Sequence, residues 1–304
     1  LRYQPLDNLM LRTSWSRSFR APSLSDLYSA DSYSADWAKD YVYCEANGIS
    51  AADCPNRQYN TTRTSNEELK EETADTWNFG VAYSPLDDLN FSLDYYTIKI
   101  DDVIQLNSLQ SVIYDELNSG GSSYITRNSQ GKISGAIAPM VNLGTLKTSG
   151  LDLKVDYKYD LNYATIRYDL GGTYILEYEE GLYAGGPVID KIGQNGLPQL
   201  RFSSGVGVNV PQWWNMDTYL SANYIDSQSQ DYIADTGEEV GHIASQTTWN
   251  LNVGVDAPWD GKIQVGVKNM FNAGPSLESD GFTYDEDLYS IDGRIYYLDY
   301  SQKF

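Results

Sequence analysis

The run "LDLKVDYKYDLNYATIRYDLGGTYILEY" (residues 151–178) carries the pattern that decides the fold. In its first half Leu151, Leu153, Val155, Tyr157 and Tyr159 alternate with Asp152, Lys154, Asp156 and Lys158. Successive side chains of a β-strand point to opposite faces, so this spacing builds a strand with one apolar and one charged face. A short polar break, "KYDLNY" (158–163), supplies turn chemistry, and the alternation then resumes. Ala164, Ile166, Tyr168, Leu170, Gly172, Tyr174, Leu176 and Tyr178 fall on one face; Thr165, Arg167, Asp169, Thr173 and Glu177 fall mostly on the other. The unit is a long β-hairpin.

Working outward, the same signature recurs in "TWNFGVAY" (76–83), "WNLNVGVDA" (249–257) and "KIQVGVK" (262–268). About ten strands are expected, near 8–20, 73–84, 88–100, 147–158, 162–178, 198–210, 214–227, 245–257, 261–270 and 293–304. The phase slips once, at Tyr95–Tyr96, where either a β-bulge or a membrane boundary falls. The phrase "YQPLDNLML" (3–11) returns as "YSPLDDLNF" (83–91), with Pro, Asp and Asn between apolar runs. Its flanks do not repeat, so it marks a shared turn rather than a solenoid unit.

Connection lengths alternate. The turns near 85–88, 159–161, 211–213 and 258–261 are short, whereas those near 21–72, 101–146, 179–197, 228–244 and 271–292 are long and polar. Short turns at one end and long loops at the other describe an all-β, transmembrane, antiparallel up-and-down β-barrel. A soluble sandwich also alternates apolar with polar residues. Against it, Trp15, Tyr83, Trp213, Trp214, Trp249 and Trp259 gather at run ends, as in interfacial belts, and the polar faces carry charges in succession.

Composition agrees. Hydrophobic residues make up 41% of the 304, and no run approaches the roughly 20 apolar residues of a spanning helix. A barrel escapes that criterion because only every second residue meets lipid. The 26 Tyr and 7 Trp suit aromatic girdles, and a net charge of −21 argues against nucleic acid as a partner. The chain opens at "LRY" with no signal-peptide pattern.

Five phrases, in order, resemble the TonB-dependent outer-membrane receptors of Gram-negative bacteria. "LRTSWSRSFRAPSLSDLY" (11–28) looks like their Phe-Arg-Ala-Pro passage followed by Leu-Tyr. "LKEETADTWNFGVAYSP" (69–85) resembles their acidic–Thr–Trp–Gly strand opening, with Lys-Glu-Glu where Pro-Glu is usual. "DYYTIKIDDVI" (94–104) and "NLGTLKTSGLDL" (142–153) match the next strand end and strand entry, and "VGVKNMFNAGP" (265–275) resembles Asn-Leu-Phe-Asn with Met270 for Leu.

The resemblance implies a barrel of about 22 strands with a plugged lumen, of which residues 1–304 would be the C-terminal part and the plug would lie elsewhere. An independently closed ten-strand barrel is the alternative. It further implies TonB-energised uptake of a scarce nutrient, and as partners the TonB complex through an N-terminal region, a plug domain, lipids and lipopolysaccharide, and the barrel-assembly machinery. The lumen-facing charges Asp152, Lys154, Asp156, Arg167 and Asp169 would mostly meet the plug. On the last strand Tyr296, Leu298, Tyr300 and the terminal Phe304 resemble the signal read by the assembly machinery. A passive porin-like channel and a surface adhesion or phage-receptor barrel are the competing functions.

Cys44 and Cys54, in "CEANGISAADC", read as a disulfide in an exported protein, since no histidine lies nearby to complete a metal site. Tyr33, Trp37, Tyr41 and Tyr43 in the same loop are the candidate ligand-binding rings; the blander arrangement is that they pack the loop on itself. No metal or other cofactor is expected, although calcium is conceivable in the acidic stretches 67–75 and 279–292, whose spacing matches no EF-hand. Enzyme chemistry has little footing. His242 is the sole histidine, no G-x-S-x-G or Walker motif occurs, and the glycines of 183–196 sit in a loop. The ligand class stays open among carbohydrate, siderophore, peptide and cobalamin-like molecules. The acidic excess of loop 21–72 tilts towards a neutral or cationic one.

Overall fold

The computed structural model describes residues 1–142, 144–181, 188–194, 196–230, 241–278 and 283–302. In chain order the first third runs β1 (Arg2–Leu6), β2 (Leu9–Arg20), α1 (Leu24–Tyr28), β3 (Ser32–Lys39), α2 (Tyr41–Ala46), β4 (Asn56–Thr64), β5 (Glu72–Leu86) and β6 (Leu89–Asp101). The middle holds β7 (Ile104–Leu106), α3 (Leu109–Ser119), β8 (Ile125–Arg127), β9 (Ile133–Asn142), β10 (Thr145–Asp160), β11 (Thr165–Gly181) and β12 (Val188–Asp190). Then follow β13 (Leu200–Val210), β14 (Met216–Ile225), β15 (Gln228–Gln230), β16 (Gly241–Ile243), β17 (Gln246–Ala257), β18 (Gly261–Lys268) and β19 (Ile295–Gln302).

The wall is one antiparallel meander in the order β1-β2-β5-β6-β10-β11-β13-β14-β17-β18-β19, with the short β12 paired beside β11. All ten long strands expected from the alternation are present, each within a few residues. Opposed residues in such a ladder share a face. One row therefore runs Tyr168, Val206, Leu220, Leu251, Val267 and Tyr296 across six strands, entirely apolar. The other face gives Arg12, Gly80, Asp94, Asp152, Thr173 and Arg201 from β2 across to β13. These are the lipid and lumen faces of a barrel wall.

Aromatic rings edge the apolar band at both ends. Trp15 and Trp77 (ring centroids 6.1 Å apart), Phe79 and Tyr95 form a run at the long-loop end, above which Thr97, Lys99 and Asp101 take the outward positions. At the short-turn end Trp213, Trp214 and Trp259 are exposed, and Trp259 Nε1 donates to the Tyr300 hydroxyl at 2.8 Å.

The repeated phrase makes one turn twice. Leu6 pairs with Leu9 around Asp7-Asn8 and Leu86 with Leu89 around Asp87-Asp88; each hairpin shifts register between its Tyr and its Leu, where Pro5 or Pro85 cannot donate to the ladder. The phase slip at Tyr95–Tyr96 is not a bulge: β6 pairs through it without a shift, and the positions in line with Tyr95 turn polar there, at Thr97, Lys99 and Asp101. The bulge falls one hairpin on, at Ser149–Gly150 against Ile175–Glu177. Tyr96 turns inward over Gly150, where a Cβ would collide with its phenol. Gly205 likewise leaves room for Tyr219 to lie across the wall and donate to Asp169 at 2.8 Å.

Two of the long connections are structured where the alternation pattern expects irregular loop. Strands β3, β4, β9 and β7 form a second sheet with β8 beside β9, and β4 pairs with β9 in parallel. Ser108 caps α3, accepting from the Ser111 amide at 3.1 Å, and Gly120 ends it with φ +77°. Leu109, Val112 and Ile113 of α3 pack with Ala38, Ile125 and Ala136 into the best-buried apolar cluster described.

Replacing Val206 or Val253, on the lipid face, with Arg is expected to destabilise the wall by about 2–4 kcal/mol near the bilayer midplane. Asn252→Arg on the lumen face should cost far less. Urea unfolding in lipid vesicles measures both, and equal costs would contradict the assignment of faces.

Candidate functional site

The long-loop end carries two constructions, each assembled from segments distant in sequence. The first is the lobe built by residues 21–71 and 102–142. Arg127 lies at its centre. Its Nη1 and Nη2 donate to the two carboxylate oxygens of Asp40, both at 2.8 Å. Nε and Nη2 donate to Glu116 at 2.9 and 2.7 Å, and Nη1 also donates to the Gly131 carbonyl at 2.7 Å. All five guanidinium N–H groups are thus engaged. The two carboxylates hold the Arg127 pKa well above its ordinary value, and Glu116 contributes most. Asp40 also caps α2 by accepting from the Tyr43 amide at 3.1 Å. One side chain therefore fastens β8 to α2 and α3.

The Cys44–Cys54 disulfide is present, with Cα atoms 5.9 Å apart, and is buried beside Tyr41. The four candidate rings are not brought together. Tyr33 and Trp37 stand on the outward face of β3, 86% and 63% exposed. Tyr41 is 8% exposed and stacks on Tyr114 at 5.4 Å, packed beside the disulfide. Tyr43 borders a cavity of about 300 Å³ within the lobe, with Lys132 Nζ 5.9 Å from its ring centre.

The second construction is a pocket of about 540 Å³ on the lumen face. Its floor is two inward rows: Thr173, Arg201, Ile225 and Gln246, then Gly171, Ser203, Asn223 and Thr248. Leu288 and Ser290 of the last long loop complete its lining. That loop is anchored between them by Tyr289, whose buried hydroxyl accepts from Gln228 Nε2 at 2.9 Å and is held above its usual pKa chiefly by burial. The Ser229 amide in turn donates to the Gly193 carbonyl at 2.6 Å, so three long loops lean on one another. Arg201 has no carboxylate partner among the described residues. Elsewhere on the lumen face Arg12 pairs with Asp94 and Arg167 with Asp217.

Reading the sequence alone missed Arg201, Asn223, Thr248 and the Arg127 hub. Alternation puts the first three on the lumen face, but their depth and the loop beside them come from register and packing. Tyr296, Leu298 and Tyr300 do face outward on β19; Phe304 and residues 279–282 of the second acidic stretch lie outside the described residues. Among the described residues no three or more His, Cys, Asp or Glu side chains are placed to hold a metal ion.

An amphipathic, girdled meander with short turns and elaborated loops is an outer-membrane β-barrel wall. The family model "TonB dependent receptor-like, beta-barrel" matches residues 1–270, and the chain belongs to that family, one of receptors rather than enzymes. Among solved structures it is similar to a variant of the ferric enterobactin receptor of Pseudomonas aeruginosa (15% identity, TM-score 0.68) and to a siderophore receptor of Acinetobacter baumannii (14%, 0.66). A copper transporter also matches, at 14% identity and TM-score 0.56. Each match covers 98% of this chain but only 38%, 39% and 38% of the other, so the chain spans well under half the length of these structures. No curated protein matches it in sequence.

Arg127→Met is expected to destabilise the lobe by about 3–5 kcal/mol, because Asp40 and Glu116 are left buried without their cation. Hydrogen exchange should show α3 and β9 losing protection while the β10–β11 ladder keeps it. Uniform loss across both would mean that lobe and wall unfold as one unit.

Proposed function

We propose that this chain is the C-terminal part of the barrel of a TonB-energised uptake receptor whose pocket beneath the last long loop takes a metal–siderophore complex. The observation that carries the reading is Arg201: a cation without an ion-pair partner among the described residues, in a recess whose other lining is uncharged, with Thr173, Ser203, Asn223, Gln246 and Thr248 beside the apolar Phe202, Ile225 and Leu288. Such an arrangement suits an anionic ligand bearing many hydrogen-bonding oxygens. The acidic total of loop 21–72 weighs less, since attraction at contact depends on the nearest charges and distant surface ones are screened within about 8 Å at physiological salt. The siderophore receptors among the structural neighbours point the same way.

On this reading the far edges of β1 and β19, which have no strand partner among the described residues, pair with further strands of the same barrel. An open ladder in lipid would leave backbone groups unsatisfied at several kcal/mol each. A plug closes the resulting lumen, meeting Asp152, Lys154, Asp156 and Asp169, and the TonB complex displaces it.

The test uses the full-length protein and a panel of radio-iron-loaded siderophores. Arg201→Ala should weaken binding of the cognate complex by about tenfold or more, the effect of losing a charge-assisted contact. Deleting TonB should abolish uptake while surface binding persists. Uptake that continues without TonB would instead identify a passive channel, and unchanged affinity in Arg201→Ala would exclude this pocket.

A further inference from the structure

The lobe cavity beside the disulfide is separate from the lumen pocket, since none of its walls comes from a wall strand. They come from the β3–α2 junction, the stretch following α2, β4 and the start of β9. Its lining divides by chemistry. Ile49, Ile133, Cys44 and the ring of Tyr59 supply apolar surface, and Arg57 and Lys132 supply charge.

These two cations border one recess in a chain with 42 acidic and 21 basic residues. Neither has a carboxylate partner among the described residues. Asp40 is the only carboxylate in the lining, and Arg127 holds both of its oxygens. Arg57 and Lys132 thus border a recess whose one carboxylate is already held by Arg127. The apolar lining limits what could complete it. A bare inorganic anion would satisfy the cations and leave that lining uncovered, and a sugar would find few neutral hydrogen-bonding groups. About 300 Å³ is at the small end of ligand sites, so one ring is the fitting size.

We propose that this cavity binds a small organic anion with a flat apolar body, of the aryl-carboxylate class. The carboxylate would lie between Arg57 and Lys132, with the ring against Tyr59, Ile49 and Ile133. This site is independent of the uptake reading, being outside the lumen and using none of the residues assigned to siderophore capture. It would let the extracellular lobe respond to a second small molecule, and it sits against Asp40, one arm of the Arg127 hub.

The probe is 4-fluorobenzoate, followed by fluorine NMR line broadening with the purified full-length protein in detergent, and 4-fluorobenzamide serves as its neutral counterpart. Saturable binding of the benzoate is expected, with the amide about tenfold weaker or more. Arg57→Ala combined with Lys132→Ala should weaken the benzoate by a similar factor or more. Both side chains are exposed, and mobility on a non-reducing gel checks that the disulfide still forms. Lys70→Ala removes one exposed charge from the same lobe and should change nothing. Equal binding of acid and amide, unchanged binding by the double variant, equal loss in Lys70→Ala, or no saturation by about 10 mM would each overturn the proposal.

Discussion

Hydrocarbon offers no hydrogen bonds, and that constraint governs the wall. Every backbone N–H and C=O within the bilayer needs a partner inside the protein, and a meander of antiparallel strands supplies one to each interior strand. The unbroken pairing of β6 with β10 over thirteen residue pairs, Asp101 to Leu89, is this requirement met. Side-chain alternation then follows. With the backbone committed to the ladder, odd and even positions meet different solvents, and Tyr168–Val206–Leu220–Leu251 can be as apolar as Asp94–Asp152–Thr173–Arg201 is polar.

Outside the bilayer water can satisfy the backbone, and the chain is released from the meander. Among the described residues, helices, a parallel strand pair and a buried ionic hub appear only there. The two regions are stabilised differently: the wall by its ladder and lipid contact, the lobe by a small core, a disulfide and Arg127. The Cys44–Cys54 closure contributes on the order of 3 kcal/mol in the chain-entropy model. The lobe can therefore vary in shape while the wall keeps its register.

The two recesses follow from that division. The lumen pocket is rigid on its strand side and bounded by loop residues on the other, with Arg201 fixed by β13. The lobe cavity depends wholly on loop packing. Its cations are remote in sequence, Arg57 on β4 and Lys132 ahead of β9, and they meet because β4 and β9 pair in parallel from Thr61–Ala136 onward.

Most of the wall was legible in the sequence because a period of two is a local property: Leu151 through Tyr159 declare both faces without reference to any other strand. The same holds for the repeated turn, where Pro, Asp and Asn act within four residues, and for the outward row Tyr296, Leu298 and Tyr300. The lobe, its Cys44–Cys54 disulfide apart, was not legible. Asp40, Glu116 and Arg127 carry no periodic signal, and Tyr41 and Tyr43, two residues apart and both aromatic, part company because one falls on the buried side of α2 and the other beside the cavity. Sequence determined which residues face lipid, since that choice is made one strand at a time. Tertiary structure alone decided which charges are neutralised and which remain open, because burial and pairing depend on contacts between segments that the chain holds tens of residues apart.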